Sequence, residues 1–101
     1  MSNLVSARRI TVFADLMFEG VLTQELCKLG AKGYTCTDCR GRGEHAIVQD
    51  LYVNTSRVRI ESIVPLQVAE AMMKFVASPQ FANQALTACI DEVQVSSQDS
   101  F

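Results

Sequence analysis

From Arg57 to Val64 the sequence alternates: Arg57, Arg59 and Glu61 take every second position, with Val58 and Ile60 between them. A period of two belongs to a β-strand, so the three charged side chains share one face and the two aliphatic ones the other. Val58 and Ile60 then require a covering layer, and helices are expected to supply it. The charged face admits two readings. It is an ordinary solvated surface in a monomer, or, because Phe13, Tyr34 and Ile63 are expected there too, an oligomer interface combining apolar bulk with a polar pocket. The second reading predicts a homo-oligomer.

The rest of the chain supplies the partners for this strand. Ile10 and Val12 alternate weakly with Thr11, Phe13 and Asp15, which predicts a central strand buried on both faces. Phe18, Val21, Leu22, Leu26 and Leu29 recur at helical spacing and Gly30 supplies a C-terminal stop, giving an amphipathic helix of about three turns. Tyr34 to Cys39 reads as a strand, and Ser56 to Val64 as the next. Pro65 opens a second helix over Leu66 to Ala77, with Ala69, Met72, Met73 and Val76 on one face. Leu86 to Val95 closes the chain as a last strand. The order βαββαβ predicts an α+β, ferredoxin-like domain over residues 1–95: a four-stranded antiparallel sheet with both helices on one face. Residues 96–101 read as a frayed tail. At 101 residues and 49% hydrophobic content, one compact core is within reach and disorder is disfavoured.

The stretch from Gly30 to Gly43 ends the first helix, runs through the second strand and opens an arginine-glycine loop. Its functional reading is an anion cradle, with glycine backbone approaching a ligand and Arg40 and Arg42 offering planar forks to phosphate or carboxylate. Its plain reading is a basic turn that binds nothing. A formal net charge of −2 makes no basic surface for nucleic acid, and positive charge gathers only at Arg40/Arg42 and Arg57/Arg59. No segment approaches the ~20 apolar residues needed to cross a bilayer, so direct membrane insertion is not expected. Arg8-Arg9 faintly resembles an export signal, but Asp15 and Glu19 interrupt the apolar run it would need. Four cysteines without such a signal predict free thiols in a reducing compartment, the cytoplasm.

Catalytic chemistry finds little support. Cys36 and Cys39 form a C-x2-C, but a strand sends them to opposite faces and His45 is the one histidine of the chain. Cys27 and Cys89 are expected to be small buried hydrophobes, and Met72-Met73 core filler. Asp91 and Glu92 are adjacent in a strand and point apart. No nucleophile–base arrangement and no metal site is assigned, and no enzyme is predicted.

With this element order, the Gly30–Gly43 stretch and the Arg57–Val64 strand, the chain resembles the PII signalling superfamily, in particular its divergent PII-like members linked to inorganic carbon uptake or carboxysomes. The resemblance runs without a gap from Ile10 to Gly43 and resumes at Arg57. It implies a homotrimer binding adenine nucleotide in clefts between subunits, with a loop after the second strand touching a regulated protein such as a bicarbonate transporter. Carried over, Thr35 would contact the nucleotide, Glu61 and Ile63 would line its adenine and ribose side, and Phe13 would contact the base. The Gly41-Arg42-Gly43 backbone would meet the phosphates, Arg40, Arg57 and Arg59 would complete the nucleotide site, and Glu44, His45, Ile47, Asp50 and Tyr52 would form the partner-binding loop. No cofactor is required; the nucleotide is an effector, with bicarbonate a second candidate. Departures bear on which nucleotide. The loop is shorter than in nitrogen-regulating members, His45 stands where they carry the glutamine used with magnesium and 2-oxoglutarate, and Tyr52 does not match their modified tyrosine. Their Gly/Lys-rich loop is replaced by Ser78–Ala85, and their C-terminal arginine pair is absent. ADP or AMP is therefore favoured over ATP. The alternatives are a nitrogen-regulatory PII protein, or a metal-responsive trimer similar to the CutA proteins.

Overall fold

The computed structural model describes residues 3–41, 56–97 and 101. Strand β1 (Val5–Asp15) leads through a short 3-10 turn (Leu16–Phe18) into helix α1 (Glu19–Leu29). Strands β2 (Thr35–Cys39) and β3 (Arg57–Val64) follow, then helix α2 (Leu66–Val76), a second 3-10 turn (Pro79–Phe81) and strand β4 (Thr87–Val95). The strands form one sheet in the order β2-β3-β1-β4, with every neighbouring pair antiparallel. This is the expected ferredoxin-like arrangement, with β1 and β3 in the centre.

Local chemistry sets the boundaries. Gly30 closes α1 at φ 118°, a left-handed conformation that a side chain disfavours, and its N–H reaches back to the carbonyls of Cys27 and Leu26. Pro65, in extended conformation, precedes α2, where its lack of an N–H costs no helical hydrogen bond. Ser78 and Pro79 terminate that chain direction. Phe81 then folds back as a plug, edge-on to Phe18 and Phe75 with ring centroids 5.5 and 5.4 Å away.

The core lies between the helices and one sheet face. Ile10, Val12 and Ala14 of β1 and Val58, Ile60 and Val64 of β3 meet Leu22 and Leu26 of α1 and Ala69 and Met72 of α2. Val58 and Ile60 face the helices as the alternation requires, and Met72 is core filler as expected, with Met73 half-buried against it. Thr11 is buried on the other face, so β1 is shielded on both sides.

Two expectations fail. Cys27 and Cys89 are exposed, not buried. The buried stripe of α1 runs through Leu22 and Leu26, and Cys27, one residue on, turns about 100° away from it. Cys89 occupies an odd position of β4, on the face away from the helices. The strand between Tyr34 and Cys39 begins at Thr35, leaving Tyr34 exposed at the sheet's edge. Residues 42–55 lie outside the described residues, as do residues 98–100 of the tail.

Cys36 is half-buried against the core, and burial, aided by the carboxylates of Glu19 and Asp38, pushes its thiol pKa up. The fold thus disfavours the thiolate. Its stabilising contribution is full below the unfolded thiol's pKa and is lost as pH rises through the higher folded value. Alkylation of Cys36, followed by peptide mass spectrometry across pH, should have a more alkaline midpoint in the native protein than in urea. Separately, Ile60→Ala, at a fully buried central position, should destabilise by about 2–5 kcal/mol in denaturant titrations at fixed protein concentration.

Candidate functional site

Cross-strand pairing arranges the face opposite the helices as a grid. Odd-numbered residues of all four strands point to it and even-numbered ones to the core, because the registers pair odd with odd throughout. Successive rows across β2, β3, β1 and β4 read Cys39–Arg57–Asp15, then Thr37–Arg59–Phe13–Thr87, then Thr35–Glu61–Thr11–Cys89, and Ile63–Arg9–Asp91. Cys36 faces the core and Cys39 the grid, as strand alternation requires, so they do not converge. Among the described residues no group of three His, Cys, Asp or Glu side chains comes together to hold a metal; His45 lies outside them.

Charge on the grid is locally paired. Arg9 grips Asp91 across β1 and β4, with Nε donating to Oδ1 at 3.1 Å and Nη2 to Oδ2 at 2.7 Å. That contact raises the Arg9 pKa, with a smaller contribution from Glu61. Arg59 Nε lies 3.4 Å from Glu61 Oε1 on the same strand. Both pairs are substantially exposed, so they orient side chains more than they stabilise the fold.

At the β2 end of this face opens a cleft of about 330 Å³, lined by Arg9, Tyr34, Thr35, Glu61, Ser62 and Ile63 together with Gly33. Its geometry begins at a glycine. The buried Ser62 hydroxyl donates to the Gly33 carbonyl at 2.6 Å, tying the entry to β2 against β3 and setting Tyr34 and Thr35 at the rim. Thr35, Glu61 and Ile63, three of the residues that the resemblance assigns to the nucleotide, line it together. Arg9, Gly33, Tyr34 and Ser62 are not among the assigned residues. Arg9 was readable: it shares the odd parity of Thr11 and Phe13 on β1. The Ser62–Gly33 contact was not, since it joins residues far apart in sequence.

A second depression of about 330 Å³ lies at the other end of the β2–β3 ladder, lined by Leu16, Asp38, Cys39, Arg40, Ser56 and Arg57. The Cys39–Arg57 and Thr35–Glu61 rows are four residues apart, so about 13 Å separates the two clefts. Arg57 is not idle: Nη2 donates to the Ala85 carbonyl at 2.8 Å, reaching over Asp15 to the segment before β4. Phe13 sits between the clefts, flanked by Arg59 and Thr87. Gly41 stands in open space, where a Cβ would meet nothing within 4 Å. Arg42, Gly43, Glu44, His45, Ile47, Asp50 and Tyr52 lie outside the described residues.

One protomer thus offers a cleft with a carboxylate acceptor, hydroxyl and guanidinium donors and an apolar wall, and a separate one with two arginines. These are parts for reversible recognition of a polar, planar and anionic ligand.

No curated protein matches the chain by sequence. Among solved structures, a PII-like signalling protein of Thermus thermophilus is 32% identical, with 94% of this chain and 93% of that one covered and a TM-score of 0.76. CPII of Thiomonas intermedia, a nitrogen regulatory PII-like protein, shares the fold at 19% identity and TM-score 0.82 over 97% of this chain and 96% of that one, in a structure bound to ADP, AMP and acetate. It has also been solved with ADP and bicarbonate. The GlnK–ATP complex of B. subtilis is more distant, at 22% identity and TM-score 0.53 over 95% of this chain and 85% of that one. Residues 7–100 match the family described as nitrogen regulatory protein P-II, and the chain belongs to that family, as a divergent PII-like member.

Proposed function

We propose that this protein is a signalling trimer without catalytic activity, which binds an adenine nucleotide where subunits meet and thereby regulates a protein of inorganic carbon transport in the cytoplasm. The observation that carries the reading is the cleft in which Thr35, Glu61 and Ile63 converge beside Arg9 and Tyr34. It has a donor, an acceptor and an aliphatic wall, the set a purine base requires, but only one protomer's worth of arginine nearby. The arginines suited to phosphate, Arg40 and Arg57, line the other depression about 13 Å away. Two copies meeting across the charged face would bring a base cleft of one against a phosphate cleft of the next.

ADP and AMP are favoured over ATP on chemical grounds. Arg57 already directs a donor to the Ala85 carbonyl, and Ser78–Ala85 offers neither lysine nor glycine to a third phosphate. CPII, which shares the fold, has been solved with ADP, AMP and bicarbonate, and this supports the nucleotide and the link to inorganic carbon. Residues 40–55 are the proposed partner-binding segment. Nucleotide controls the partner only if it binds one state of that segment better than another. No helix among the described residues is long and apolar enough to cross a membrane, so contact with a transporter would run through that segment.

Titration calorimetry with ADP, AMP and ATP, with and without bicarbonate, is the direct test. ADP or AMP should bind about tenfold or more tightly than ATP, a difference of roughly 1.4 kcal/mol. Glu61→Gln should weaken ADP by a similar factor, while light scattering should return three times the 11.1 kDa chain mass. An absence of heat with all three nucleotides defeats the reading.

A further inference from the structure

Arg9 is the one charged residue of the cleft that the family resemblance does not assign, and its side chain is held at two points. Asp91 engages the Nε–Nη2 edge through both carboxylate oxygens. A planar fork so gripped has its plane and direction set, and less rotamer freedom remains to be lost when a ligand binds. The grip occupies two of the five guanidinium donors. The others remain available on the side of the cleft, which Arg9 lines together with Thr35 and Glu61.

The neighbours decide what those donors can meet. Glu61, held by Arg59 at 3.4 Å, is an acceptor when ionised. A cleft that shows a carboxylate acceptor near a guanidinium donor complements a ligand edge with a donor beside an acceptor. The Watson–Crick edge of adenine is such an edge, with the N6 amino group donating and N1 accepting. Asp91 is not among the residues lining the cleft, so Glu61 is the carboxylate that faces a ligand there.

We propose that Arg9 contacts the bound base directly, donating to adenine N1, and that Asp91 is the positioning residue that aims it. The inference rests on the nucleotide reading above. It adds a residue of β1, and through it the edge strand β4, to base recognition.

A comparison of ADP with 1-deaza-ADP, which lacks the N1 acceptor, tests it by calorimetry on the full-length protein, Arg9→Met and Asp91→Asn. Methionine keeps much of the aliphatic stem, and thermal melts confirm that each variant is folded. The wild type should prefer ADP about tenfold, Arg9→Met should show a ratio near one, and Asp91→Asn should fall between them. Loss of fold or of cleft shape would weaken both ligands alike and leave the ratio intact, so the ratio reads the contact itself. Arg9→Met retaining the wild-type ratio overturns the proposal, and Asp91→Asn retaining it overturns the positioning role. If the wild type binds neither ligand, the nucleotide reading falls as well; if it binds ADP with an unchanged ratio in Arg9→Met, only this inference falls.

Discussion

The pairing register of β3 on β1 is the constraint on which the rest of the structure depends. Val12 opposite Ile60 and Phe13 opposite Arg59 place Ile10, Val12 and Ala14 of β1 and Val58, Ile60 and Val64 of β3 against the helices and the β3 charges away from them. A slip of one residue would drive Arg57, Arg59 and Glu61 into the core and expose Val58 and Ile60. Burial of unpaired charge costs far more than any aliphatic contact returns. The same term that forms the hydrophobic core therefore also assembles the charged grid, and the candidate site is a by-product of the register.

On that grid, polar groups are held by one another and not by the core. Asp91 holds Arg9, Glu61 holds Arg59, and the Ala85 carbonyl holds Arg57. Such exposed contacts add little to stability, but they reduce the number of orientations each side chain explores. Side chains held in this way have less rotamer freedom to lose on meeting a partner or ligand. The candidate clefts lie along short β2 and the β3 face it pairs with.

How much of this could be read beforehand varies with the range of the interaction. α1 ends where Gly30 indicates and α2 begins where Pro65 does, because capping is decided within a turn of the chain. Face assignments on β3 held because a period of two is local. Burial of Cys27 and Cys89 did not follow from residue type: a helix position one step off the apolar stripe, or an odd position on β4, outweighs the preference of a thiol for the interior. Thr35, Glu61 and Ile63, which the resemblance assigns to the nucleotide, line one cleft. The clamp on Arg9 is not legible in the sequence, because Asp91 lies 82 positions away and only the pairing of β1 with β4 brings the two together.

By itself the sequence determined the elements, their order and the two-faced character of the sheet, since these rest on periodicity, capping residues and turn chemistry that act over a few positions. Membership of the PII family was legible as a resemblance, carried by the Gly30–Gly43 stretch and the Arg57–Val64 strand. Only the tertiary structure decided which residues meet: Ser62 with Gly33, Arg9 with Asp91, Arg57 with Ala85. Those contacts join residues 28 to 82 positions apart, and their geometry exists only after strand register and the reach of each side chain have been settled together.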